Sequence, residues 1–212
     1  MKGLIKKDLL LLKKETSPVI FVALLPPLFA GITNPSFFLI MLTAALSMLL
    51  GMQVFNTMSY DEKINWRKNV QAFPILPLKE AESKYCLAGF LAGINFGMIF
   101  AIGSITKALL PGITIKIVLL YAFIGMLIVV IYNLLVIPLG YYFGCEKVKY
   151  LLFLLVIVPF GIGMISSYWE INVYKILVSV PILYLLGVVF ILLIGMLVVS
   201  LLITKKILEN KH

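Results

Sequence analysis

The stretch "SYDEKINWRKNVQAFPILPLKEAESKY", Ser59 to Tyr85, decides how this chain is read. Nine of its 27 residues are charged, although the whole chain is 62% hydrophobic and only 13% charged. Long uncharged runs flank it, Thr16–Tyr60 before and Tyr85–Thr106 after. A chain of 212 residues with mean hydropathy +1.11 lies far outside the soluble globular range. The stretch is therefore a polar segment between membrane spans.

Working outward, three further uncharged runs cover Ile117–Cys145, Tyr150–Trp169 and Ile176–Thr204. A bilayer-spanning helix needs about 20 apolar residues. Four of the five runs suit one helix each. The first, of 45 residues, must turn back, and "GITNPS" at Gly31–Ser36 supplies the turn chemistry. The pattern predicts an all-α polytopic membrane protein of one domain, 1–212. Its six spans fall near 17–32, 36–58, 85–106, 116–140, 149–168 and 178–203. Pro26-Pro27 would kink the first. A cleavable signal peptide is not expected, because Lys alternates with Leu through the first 15 residues and no A-x-A-like site follows.

Charge orients the spans. With the N-terminus in the cytosol, 15 Lys and Arg residues fall inside and only Lys107, Lys116 and Lys175 fall outside. Such an excess in short cytosolic loops sets topology, so both termini and Ser59–Tyr85 are expected in the cytosol. The formal net charge of +9 then meets anionic lipid headgroups, and nucleic acid is a poor partner for it. Cys86 and Cys145 form no C-x-x-C and read as packing residues. His212 is the only histidine, which leaves metal binding and His-based catalysis without residues.

Within the spans, Gly89, Gly93, Gly97 and Ala101 recur four apart, a spacing that lets helix backbones approach closely. A packing seam, within or between subunits, and a cargo-lining groove are the two readings. Gln53, Asn56 and Thr57 share a face of the second span, with Asn95 in the third, Asn133 in the fourth, and Ser179 and Ser200 in the sixth. Interhelical hydrogen bonding is the default for such amides, and a pathway-lining role is the functional alternative. No span carries an ionisable residue near its middle, where proton- and ion-driven carriers place theirs. There is no G-x-x-x-x-G-K-[ST] loop. The chain has no engine of its own.

In the opening stretch, Ser59 and Glu62 form an S-x-x-E capping box. A short helix to about Val70 is predicted, stopped by Pro74 and Pro77, with a second helical start at Leu78–Tyr85 that feeds the third span. The expected result is an elbow of two short helices, 59–84. Trp66, Phe73 and Ile75 are apolar residues that a plain linker does not need. Ser167–Lys175 is the one substantial outward loop, and its Tyr168, Trp169 and Tyr174 suit an interfacial aromatic belt.

"KGLIKKDLLLLKK" at Lys2–Lys14, "DEK..W" at Asp61–Trp66, and Phe73-Pro74 followed by Lys84-Tyr85 resemble the type-2 permeases of ATP-binding cassette (ABC) exporters. More narrowly, they resemble small six-span bacterial permeases encoded beside separate ATPases. Pro74-Ile75-Leu76-Pro77 departs from the family's Pro-hydrophobic-Ser-Arg pattern, and the acidic Glu80 and Glu82 occupy positions that are usually apolar or basic. The resemblance implies a cytosolic coupling element that docks on a separate ATPase through Asp61, Glu62, Lys63, Trp66 and Arg67, with Pro74 and Lys84 in its motif. It also implies an interfacial helix at 1–15. On a helical projection Lys2, Lys6, Lys7, Lys13 and Lys14 fall in an arc of about 140°, with Asp8 and Glu15 opposite. Such a basic stripe suits lipid headgroups. ATP and Mg²⁺ would belong to the partner ATPase, with no cofactor in this chain. A second permease subunit, identical or related, would complete the pathway. The implied function is export of an amphipathic cargo such as a bacteriocin-like peptide, antibiotic or lipid across the cell membrane. A non-transporting immunity or sensor subunit is the rival. An intramembrane enzyme is disfavoured by the absence of G-x-S-x-G and H-E-x-x-H motifs.

Overall fold

The computed structural model describes residues 3–13, 27, 35–66, 77–109, 114–150 and 182–210. Among these, all but Ile64, Asn65, Thr114 and Gly144 are helical. In chain order the elements are α1 (3–13), α2 (Pro35–Lys63), α3 (Pro77–Leu109), α4 (Ile115–Phe143), α5 (145–150) and α6 (Ile182–Asn210). Four segments are long and apolar enough to cross a membrane: Phe38–Lys63, Leu78–Ala108, Ile115–Phe143 and Ile191–Glu209. They lie on the expected second, third, fourth and sixth spans. The expected spans at 17–32 and 149–168 fall outside the described residues, apart from Pro27 and 149–150. So do Arg67, Pro74 and the Ser167–Lys175 loop.

The helices overrun the apolar runs that mark them. At 29 and 33 residues, α2 and α3 are about 44 and 50 Å long, against roughly 30 Å of hydrocarbon. Their surplus length is charged, 59–63 on α2 and 77–84 on α3. The short helix expected to begin at Ser59 is instead the end of α2, whereas the helical start expected at Leu78–Tyr85 does feed the third span, as the opening turns of α3. Residues 67–76 between them lie outside the described residues. Ser59 lies inside α2, where no unpaired amide awaits a cap, so the S-x-x-E pattern caps nothing. Pro77 occupies the first position of α3, where the missing N–H costs no bond. α2 ends instead at Asn65, whose φ of 50° is left-handed, a conformation Asn tolerates at helix ends. Gly144, with φ of 82°, closes α4, and its N–H returns to the Gly140 carbonyl at 3.1 Å. At the other end of α4 the Thr114 carbonyl accepts from Ile117 and Val118.

The chain forms two compact units, Met1–Ile137 and Pro138–His212, which join at a proline inside α4. In the first unit α2 and α3 pack along each other. Phe38, Leu39, Leu42 and Leu46 of α2 meet Ile99 of α3 and Val118 and Ala122 of α4 in one buried cluster. Where lipid is as apolar as leucine, dispersion and hydrogen bonds hold such a cluster, not expulsion from water. Thr43 and Thr106 satisfy their hydroxyls on the carbonyls four residues back. In the second unit, Ser200, Thr204 and Leu208 of α6 are buried at four-residue spacing. Ile191, Leu192, Val199 and Leu202 of the same helix are exposed, as a lipid-facing helix requires.

Candidate functional site

The charged ends of α2 and α3 are joined to α1 by a closed ring of four alternating charges. Lys7 Nζ lies 2.6 Å from Asp61 Oδ1. Asp61 Oδ2 is 2.7 Å from Lys84 Nζ, which is 2.9 Å from Asp8 Oδ2. Asp8 Oδ1 closes the ring at 3.4 Å from Lys7. Asp8 and Lys84 are each 1% exposed and Asp61 is 7% exposed, so each charge is compensated inside the protein. Lys84 also donates to Thr57 Oγ1 at 3.2 Å, which engages all three of its N–H donors. Thr57 in turn donates to the Val54 carbonyl at 2.7 Å.

Helical spacing builds this ring. On α1, Leu4, Asp8 and Leu12 are four apart and all buried, while Lys6, Leu10 and Lys13 are exposed. One acid thus sits in an otherwise leucine stripe and must find a cation. On α2, Thr57 and Asp61 are one turn apart on the face toward α3. Lys84 enters from the first turns of α3. Lys7 is held a second time, because its ammonium lies 4.2 Å from the centre of the Trp66 ring, a cation–π contact.

Deeper in the same unit lies a neutral polar contact. Asn95 Nδ2 of α3 donates to Ser47 Oγ of α2 at 3.0 Å, and Ser47 donates to the Gly125 carbonyl of α4 at 3.2 Å. A Cβ on Gly125 would touch Asn95 Nδ2 at 3.1 Å and collide with Ile99. Asn133 Nδ2 donates within its own helix, to the Val129 carbonyl. Among the described residues, Gln53 Oε1, Asn95 Oδ1, Asn133 Oδ1 and the Tyr132 hydroxyl are buried without a partner.

The anticipated site residues separate into groups. Asp61 and Lys84 are brought together in the ring. Glu62 and Lys63 are exposed, and Trp66 is half-buried against Lys7. Gln53, Asn95 and Asn133 are buried, but Asn56 is exposed. The shared face of Gln53, Asn56 and Thr57 is therefore split, because Asn56 stands about 100° from Thr57. Gly89, Gly93, Gly97 and Ala101 are all exposed, and a Cβ on any of the three glycines meets nothing within 4 Å. Among the described residues the stripe is not a seam within the subunit. Sequence reading placed Lys7 on a lipid-facing stripe and Asp8 merely opposite it. The missed signal was Asp8, the one acid among residues 3–13 of a lysine- and leucine-rich helix.

Long apolar helices with ion-braced polar ends define a polytopic helical membrane protein. Residues 3–209 match the family described as ABC-2 family transporter protein, and the chain belongs to that family. It is thus the membrane transport subunit of an ABC transporter, of a kind that works with an ATPase subunit. No curated protein and no solved structure matches it.

Proposed function

We propose that this chain is the permease of an ABC exporter in the cell membrane, with six spans and both termini in the cytosol. A separate ATPase would hold ATP and Mg²⁺ and do the work, and a second permease, identical or related, would complete the assembly. The observation that carries this reading is the family match over nearly the whole chain, in a sequence that has no phosphate-binding loop. The charged ends of α2 and α3 are where work would enter. Glu62, Lys63 and Trp66, with Arg67 and Pro74 beyond them, would meet the ATPase, while Asp61 and Lys84 hold the end of α2 to α1 and α3.

The exposed Gly89, Gly93, Gly97 and Ala101 stripe supports a subunit interface, since bare glycine faces suit close helix approach. Cargo is expected to be amphipathic: a peptide of bacteriocin type, an antibiotic or a lipid. The unused acceptors on Gln53, Asn95 and Asn133 support a polar lining for its path, with Asn56 at the edge. The test is co-expression with a candidate ABC ATPase subunit, purification through a tag on the permease, and ATP-dependent cargo uptake into inside-out vesicles. Recovery of the ATPase with uptake supports export. Recovery of no ATPase, with protection of cells against a toxic peptide, would instead support an immunity subunit.

A further inference from the structure

We infer that α1 is a releasable latch on a permanent α2–α3 pair, and that the four-charge ring is built to part along that one seam. The reasoning is charge conservation. α1 contributes both Lys7 and Asp8, whereas α2 contributes only Asp61 and α3 only Lys84. If α1 withdraws, it takes a neutral pair 3.4 Å apart and leaves a neutral pair, Asp61 and Lys84, 2.7 Å apart. Every remaining charge still has its opposite.

Neither other helix can leave on those terms. Withdrawing α2 strands Asp61 and leaves two lysines sharing Asp8. Withdrawing α3 removes Lys84, the most enclosed cation of the ring, and leaves two carboxylates sharing Lys7. An uncompensated charge in a buried site is strongly unfavourable. The contacts beyond the ring have the same asymmetry. α2 and α3 are tied again through Thr57 and Lys84, through Asn95 and Ser47, and through the apolar cluster containing Leu46 and Ile99. Among the described residues, α1 fully buries Leu4, Asp8 and Leu12, half-buries Ile5, Leu9 and Leu11, and lays Lys7 on Trp66. An element joined to its neighbours by one neutral ion seam and the face of a single short helix opens as a unit before they do.

The inference concerns this chain alone and holds whichever surface receives the ATPase, so its failure leaves the transporter assignment standing. The full-length permease in lipid nanodiscs is examined in two ways. In the wild-type chain, hydrogen exchange is expected to release the α1 amides together, at least tenfold faster than those at 55–63 and 78–88. Second, spin labels replace the exposed Lys13, Lys63 and Lys79 in pairs, with Cys86→Ser and Cys145→Ala in the background. In K7A/D8A the Lys13–Lys63 distance is expected to lose its narrow distribution, while the Lys63–Lys79 distribution keeps its wild-type width. Equal protection of all three segments would overturn the inference. So would a Lys13–Lys63 distance that stays narrow in K7A/D8A, or a Lys63–Lys79 distance that broadens with it.

Discussion

Lys84 on α3 and Asp8 on α1, 76 residues apart in the chain, meet at 2.9 Å with both side chains almost wholly buried. The contact fixes where α1 lies, and through Asp61 it also fixes the charged end of α2. A charge-reversal probe of the proposed ATPase contact therefore cannot use Asp61, since reversing it would break the ring before it tested any docking.

Removing the central cation exposes what the ring is worth. Lys84→Met leaves two buried carboxylates with only Lys7 between them, and breaking a buried pair costs about 3–5 kcal/mol. The thermal unfolding midpoint of the detergent-purified permease is expected to fall accordingly. Adding Asp8→Asn removes one stranded charge and recovers part of the loss. A double variant no more stable than Lys84→Met alone would contradict the buried pairing.

The exposed Lys63 is the clean probe of coupling. Lys63→Glu alters one side chain at an exposed helix end. Stability should stay within about 0.5 kcal/mol, as for surface changes generally. Recovery of the ATPase with the tagged permease is expected to drop several-fold. Full recovery would remove Lys63 from the contact.

Two kinds of glycine should respond oppositely. A Cβ on Gly103 would lie 2.6 Å from Val118 Cγ1 in the buried cluster, where a β-branched neighbour has little room to yield. Gly103→Ala is expected to cost about 1–3 kcal/mol, the range for overpacking a core. Gly93→Ala, with open space around it, should raise the thermal midpoint of the isolated subunit, since alanine is favoured over glycine inside a helix by about 1 kcal/mol.

The same open stripe bears on assembly. Gly93→Leu fills the bare face without touching the interior, so the purified subunit keeps its helicity. Cross-linking between two permease copies is expected to be lost. Undiminished cross-linking would move the subunit interface elsewhere.

Topology is checked by labelling. Cysteines in place of the exposed Lys13 and Glu209 should react with an impermeant maleimide only from the cytosolic side, and one in place of Lys107 only from outside. Labelling of Lys13→Cys and Glu209→Cys from opposite faces would exclude the even number of spans.

Hydropathy located α2, α3, α4 and α6, because a bilayer imposes a length of apolar residues that composition alone displays. It misjudged their ends. Backbone hydrogen bonding continues through Ser59 and Tyr60 whether or not the side chains are apolar, so 59–63 continue α2 instead of starting a separate short helix. The exposed glycine face of α3 was visible as a period of four, but its lack of an internal neighbour was not.

Amino-acid order by itself settled that this is a membrane chain and where its membrane-length helices lie, since both follow from residues close together in the chain. Folding in three dimensions settled which charges are spent inside. Lys84 reads as a surface lysine and Asp8 as a stray acid until helices 76 residues apart bring them to 2.9 Å. A charge can be buried only beside its opposite, and no local pattern says which distant opposite that will be.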